Sequence, residues 1–130
     1  MNRKKILLVD DSNTILMMEK FILRNGPYDL ITASNGEDGV KKAIEHQPDL
    51  ILLDVIMPKM GGFEACRLIR NSDETKSIPI IMVTTRGEAA NVEAGWANGC
   101  TDYVTKPINS IELLAKVRNF LGDSLSEVAS

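Results

Sequence analysis

Five short apolar runs, each followed by a stretch of helical character, constrain the fold of this chain more than any other feature. Lys5-Ile6-Leu7-Leu8-Val9 ends at Asp10-Asp11, and Leu30-Ile31-Thr32-Ala33 is a weaker second run. Leu50-Ile51-Leu52-Leu53 ends at Asp54, Ile78 to Val83 ends at Thr84-Thr85, and Tyr103-Val104-Thr105 ends at Lys106-Pro107. Runs that stay apolar without alternating belong to strands covered on both faces. Helical periods occupy Thr14 to Arg24, Gly36 to His46, Gly62 to Asn71, Glu88 to Asn98 and Asn109 to Leu121. In the first of these, Ile15, Met18 and Ile22 form the expected buried stripe. In the last, Ile111, Leu114, Val117 and Leu121 share one face, and Asn109 followed by Glu112 has the spacing of a capping box. Five strands alternating with five helices predict an α/β fold, a doubly wound parallel sheet with right-handed crossovers and helices on both sides.

At 130 residues the chain has room for one domain with a sizeable core. Residues 1–122 read as that domain, and the polar residues 123–130 as a C-terminal tail. Fifteen Lys and Arg against eighteen Asp and Glu leave a net charge of −3, which lacks the basic footprint of a nucleic-acid binder. No apolar run approaches the roughly 20 residues of a membrane span, and the run after the charged N-terminus is too short for a signal peptide. The expected location is the cytoplasm, with no membrane insertion. Cys66 and Cys100 form no Cys-x-x-Cys pair and read as free thiols.

The polar residues closing the runs carry the chemistry. In an open parallel sheet, ligands bind at the carboxyl ends of the strands, so Asp10, Asp11, Asp54, Thr84 and Lys106 should converge. One Asp after a strand often only caps the next helix, and a lone Thr often reflects β-propensity. Five such residues at the ends of four strands point to a site. Two carboxylates about 5 Å apart repel by about 3 kcal/mol at an effective dielectric near 20. Lys106 offers one compensating charge and a divalent cation two. Mg²⁺ suits hard carboxylate oxygens and accepts a phosphate oxygen as a further ligand. A carboxylate beside Mg²⁺, a lysine and a threonine hydroxyl is a phosphoryl-accepting nucleophile.

Leu7-Leu8-Val9-Asp10-Asp11-Ser12, Leu52-Leu53-Asp54-Val55-Ile56-Met57-Pro58 and Asp102-Tyr103-Val104-Thr105-Lys106-Pro107 together resemble the receiver domains of two-component response regulators. The resemblance runs from about Lys5 to Leu121 and is strongest to single-domain regulators of the chemotaxis type. It implies a flavodoxin-like five-stranded sheet in the order 2-1-3-4-5. Asp54 would be the phosphoacceptor. Asp10, Asp11, Asp54 and the backbone carbonyl of Ile56 would hold Mg²⁺. Thr84 would be the switch hydroxyl, Tyr103 the switch aromatic, and Lys106 the partner of the phosphoryl oxygens. The Lys106-Pro107 bond would be cis. The phosphoryl donor would be a sensor histidine kinase or a histidine phosphotransfer domain. The chain would catalyse its own Mg²⁺-dependent phosphorylation and autodephosphorylation rather than turn over a separate substrate. Output would pass through the surface of the fourth helix, fifth strand and fifth helix to an unnamed protein target, not to nucleic acid directly. The acting form would be a monomer or a phosphorylation-dependent dimer, in chemotaxis, pilus motility or a phosphorelay.

Several positions depart from the family or refine the expectation. Gly61-Gly62 stands where Asp-Gly is usual, which removes a side-chain cap from the third helix. Ile56 and Arg86 occupy the two positions that tune hydrolysis in the family. An apolar Ile56 cannot orient water, and Arg86 could shield the phosphoryl group, so autodephosphorylation is expected to be slow. Met17 and Phe21 read either as a docking patch or as packing against the last helix. Trp96 and Cys100 read as packing residues, and His46 as a helix-end residue rather than a phosphohistidine. A haloacid-dehalogenase-type phosphatase would need a second Asp at position 56, and an FMN carrier would need a Ser/Thr/Gly-rich loop where Asp10-Asp11 stands.

Overall fold

The computed structural model describes residues 3–85 and 96–122. Five parallel strands form one sheet: β1 (Lys4–Val9), β2 (Tyr28–Ala33), β3 (Leu50–Asp54), β4 (Ile80–Thr85) and β5 (Asp102–Lys106). Their order is β2-β1-β3-β4-β5, as the resemblance implies. Four helices are described: α1 (Asn13–Leu23), α2 (Gly36–His46), α3 (Gly62–Arg70) and α4 (Ser110–Leu121), the last being the fifth in the sequence reading. Most of the expected helix Glu88–Asn98 lies outside the described residues, as do Arg86 and the 123–130 tail.

The continuous apolar runs are explained by a sheet that is sealed twice. Ile6, Leu8, Leu50, Leu52, Ile81, Val83 and Val104 face Leu16 and Leu23 of α1 and Leu113 and Val117 of α4. Leu7, Val9, Ile51, Leu53, Ile80 and Met82 face Ala43 of α2 and Ala65, Cys66 and Ile69 of α3. The register sets Ile6 against Leu50 and Leu7 against Ile51, so neighbours in the ladder share a face. Each fully buried Leu or Ile contributes roughly 1.5–3 kcal/mol, and a one-residue slip would exchange the two faces of a strand. The carboxyl ends of the strands are therefore held in a fixed relation.

Side-chain caps begin three helices. Ser12 Oγ accepts from Ile15 N, Asn35 Oδ1 from Asp38 N and Asn109 Oδ1 from Glu112 N, the last matching half of the expected box. Gly61 caps α3 without a side-chain hydrogen bond, as its missing side chain requires. Gly62 is needed for another reason: a Cβ there would lie 2.1 Å from the Asp54 carbonyl oxygen. Helix α3 thus packs directly on the backbone behind Asp54.

Three sequence expectations are corrected. β4 begins at Ile80 rather than Ile78, and Asp54, Thr84 and Lys106 lie within the strands that they were expected to follow. The buried face of α1 is Leu16, Glu19 and Leu23, not Ile15, Met18 and Ile22; Met18 is 39% exposed. On α4, Leu113 and Val117 are buried and Ile111 is 78% exposed. In α1 the stripe read from sequence is rotated from the true one, with only Ile22 of it packed partly against the core; in α4 Leu114, Val117 and Leu121 pack on the core as expected and Ile111 alone of the four is turned out. Cys66 and Cys100 are free and buried, as expected. None of the described helices is long and apolar enough to cross a membrane.

Candidate functional site

Asp10 follows β1 directly, and its backbone N–H donates to the Ala33 carbonyl, which continues the sheet past the last strand residue. Its Oδ1 accepts from Ser12 N at 2.9 Å, a local bond at the start of α1. Oδ2 is left buried and without a hydrogen-bond partner, with the Lys106 ammonium at 3.5 Å. Asp54 is the last residue of β3, paired with Val83 of β4 and 5% exposed. Lys106 ends β5 opposite Thr85, and its Nζ donates to Asp54 Oδ1 at 3.1 Å. Asp11 stands exposed at the rim. Asp10, Asp11 and Asp54 each offer an oxygen within 4.8 Å of the others'. The convergence expected from strand ends is thus present across β1, β3 and β5.

Thr84 sits beside the cluster at the end of β4, 3% exposed, and its Oγ1 has no hydrogen-bond partner. The Ile56 side chain, two residues past Asp54, is 66% exposed. The Lys106-Pro107 peptide is cis, as the resemblance implies. Tyr103 stands apart from the cluster: its register partner in β4 is Met82, not Thr84. The Trp96 ring meets it edge-on, with centroids 6.3 Å apart. Lys116 Nζ lies 5.7 Å from the Tyr103 ring and is held by both oxygens of Asp102 at 3.0 Å. Trp96 touches Tyr103 but is 48% exposed and belongs to neither core cluster, so it is not the core packing residue expected from sequence. Met17 and Phe21 are 69% and 61% exposed, so they do not pack against α4; Phe21 lies under the Arg24 guanidinium at 3.9 Å. His46 ends α2 beside Glu45.

The charges act on one another. Burial pushes the Asp54 carboxyl up to about 6; the hydrogen bond and charge of Lys106 oppose this, and Asp10 and Asp11 add to it. Burial works against the Lys106 ammonium, but the hydrogen bond and charge of Asp54, with Asp10, outweigh it and hold its pKa above the usual lysine value. Three carboxyls facing one ammonium leave negative charge in excess. The donor set fits a hard divalent cation: clustered carboxylates, with Asp10 Oδ2 buried and free to ligate.

Glu19 was missed by the sequence reading. It is 1% exposed on α1, and burial pushes its carboxyl up to about 8, with Asp10 adding, Lys106 opposing and Asp54 adding. The available signal was its spacing: Leu16, Glu19 and Leu23 are three and four residues apart, one helical row interrupted by a charge.

Comparison with known proteins agrees with this geometry. The family model described as the response regulator receiver domain matches residues 6–118. The chain is 41% identical over 127 residues to the alkaline phosphatase synthesis transcriptional regulatory protein PhoP of Bacillus subtilis, covering 98% of this chain and 51% of that protein. It thus spans about half the length of several curated relatives that it matches. Chemotaxis protein CheY4 of Vibrio cholerae has a similar structure, with a TM-score of 0.85 and 34% identity, covering 92% of this chain and 99% of that one. So has the receiver domain of sensor histidine kinase PA1611 of Pseudomonas aeruginosa, solved with a magnesium ion in its active-site cleft: TM-score 0.86, 28% identity, 94% of this chain and 100% of that one.

Proposed function

Because the chain belongs to the response regulator receiver domain family, we propose that it is a phosphorylation-activated signalling switch whose phosphoacceptor is Asp54. The observation that carries this is the site itself: a buried carboxylate at a strand end, hydrogen-bonded to Lys106 at 3.1 Å and clustered with Asp10 and Asp11. An Asp54 oxygen attacks the phosphorus of a phosphohistidine on a sensor kinase or phosphotransfer domain. A P–O bond forms, the P–N bond breaks, and the imidazole leaves with its electron pair. Asp10, Asp11 and Asp54, with the Ile56 carbonyl, hold Mg²⁺, which when bound neutralises charge on the transferring group. Lys106 exchanges its bond to Asp54 for the phosphoryl oxygens. The unpartnered Thr84 hydroxyl is free to donate to the phosphoryl group, and that differential contact biases the loop arrangement and the Tyr103 position.

The same reading assigns the remaining roles. Residues 1–122 form the switch and 123–130 a tail. Ile56 and Arg86 slow hydrolysis of the acyl phosphate. Exposed Met17 and Phe21 support donor docking on α1. Half-exposed Trp96 and exposed Ile111 support output through the face of residues 88–98, β5 and α4. The free buried thiols support a reducing, cytoplasmic setting. Chemotaxis, pilus motility and a phosphorelay are the candidate pathways, with a monomer or a phosphorylation-dependent dimer as the acting form.

The test is intact mass after incubation with acetyl phosphate or a phosphohistidine donor, with and without Mg²⁺. The expected result is a Mg²⁺-dependent gain of one phosphoryl group that Asp54→Ala abolishes. A folded wild type that gains nothing from either donor overturns the reading.

A further inference from the structure

Glu19 is a buried acid that the phosphorylation chemistry leaves unused. It sits between Leu16 and Leu23 on the face that α1 packs against the sheet, where an apolar residue would cost nothing in desolvation. Its Oε1 has no hydrogen-bond partner. Among the described residues, the other buried side-chain atoms in that state are Asp10 Oδ2, in the site, and Thr84 Oγ1, beside it. Helix α1 starts at Asn13, directly after Asp10-Asp11-Ser12, so Glu19 lies about 9 Å along it. Side chains on a helix lean toward its N-terminus, so the Glu19 carboxyl reaches back toward Asp10. The charged groups that act on it are those of the site: Asp10 first, then Lys106 and Asp54. A buried, unpartnered carboxyl on the helix that leads out of Asp10-Asp11 thus adds a fourth acid to the surroundings of the cluster.

We propose that Glu19 is an outer carboxylate of the cation site, accepting hydrogen bonds from water carried by a divalent cation on Asp10, Asp11 and Asp54. This rests on reading that cluster as the Mg²⁺ site. Mg²⁺ sheds its waters reluctantly, so a carboxylate too far away to ligate the ion can still hold its hydration shell. Such outer partners typically set metal affinity by 10–100-fold when removed. Glu19 is thus a positioning residue: it touches neither the phosphoryl group nor the attacking oxygen. Its buried position costs fold stability and supplies cation affinity.

The test is Mg²⁺ titration of the full chain followed by the amide NMR shifts of Asp10, Asp11 and Asp54, with no phosphodonor present. Wild type, Glu19→Leu, Glu19→Gln and Asp11→Ala are compared, alongside urea unfolding in EDTA. Glu19→Leu is expected to unfold at higher urea than wild type and yet bind Mg²⁺ about 10-fold more weakly or worse. Glu19→Gln keeps a carbonyl acceptor without the charge and falls between; being nearly isosteric, it carries the test if the Leu variant misfolds. A purely structural Glu19 would not move stability and affinity in opposite directions. Unchanged Mg²⁺ affinity in both Glu19 variants overturns the proposal, and loss of binding in Asp11→Ala then leaves the cation site standing. A wild type that binds no Mg²⁺ overturns both.

Discussion

Ile56 presents an exposed hydrocarbon to the space beside Asp54, where a polar side chain could align a water for attack on the acyl phosphate. Ile56→Asn is therefore expected to shorten the lifetime of the phosphorylated chain several-fold. The measurement is decay of the phosphorylated mass after donor removal, and an unchanged decay rate counts against a tuning role. At this scale the sequence was highly legible. The Asp10-Asp11 pair, Asp54 and Lys106 are far apart along the chain, but a parallel sheet has only one place for the residues that end its strands. Glu19 escaped because its importance comes from burial, which no local pattern announces: a glutamate on a helix is ordinarily solvated.

Helix α3 shows how two adjacent glycines differ. At Gly61 the backbone is an ordinary N-cap at φ −75°, and an added Cβ would lie 3.3 Å from the Val55 carbonyl oxygen. Gly61→Asp should supply the missing cap and raise stability by a few tenths of a kcal/mol. At Gly62 the added Cβ would press into the Asp54 carbonyl, so Gly62→Ala should cost about 2–3 kcal/mol and disturb the site as well. Urea unfolding of the two variants should move in opposite directions; equal effects would refute this account of the loop. The helices were less legible than the strands. Strand assignment rested on runs buried on both faces, which tolerate an error of a residue or two. Helix α1 carries Ile15, Leu16, Met17, Met18, Phe21, Ile22 and Leu23, so apolar stripes can be drawn through it at several rotations. The true stripe contains a glutamate, and the stripe chosen from sequence did not. In α4, Ile111 follows the same logic: it is apolar but turned toward solvent. Burial there is decided by packing on Val104 and the sheet, which is tertiary information.

The whole molecule inherits the cost of Glu19 as a pH dependence. In the folded chain its carboxyl is pushed up to about 8 from an ordinary 4.5, so between those values the folded state holds a proton that the unfolded state has lost. Stability must therefore fall as pH rises through this window. Asp54, raised to about 6 from 3.8, acts in the same direction at the lower end. In EDTA the unfolding free energy is expected to fall by roughly 3–6 kcal/mol from pH 4.5 to 8, and Glu19→Leu should remove most of the slope above pH 6. Urea unfolding across that range measures it, and a wild-type profile flat from pH 6 to 8 would rule the account out.

The distribution of the site over three strand ends has a consequence for the birth of the protein. Asp10 lies near the start of the sequence and Lys106 near its end, and they meet at 3.5 Å only when β5 has joined the sheet. A chain emerging from the ribosome exposes its carboxylates long before the lysine that offsets them is made, and the loop joining the two must close against its own entropy. No nascent or truncated copy lacking β5 can hold the full site, so competence to receive a signal arrives only once β5 has been made and has joined the sheet.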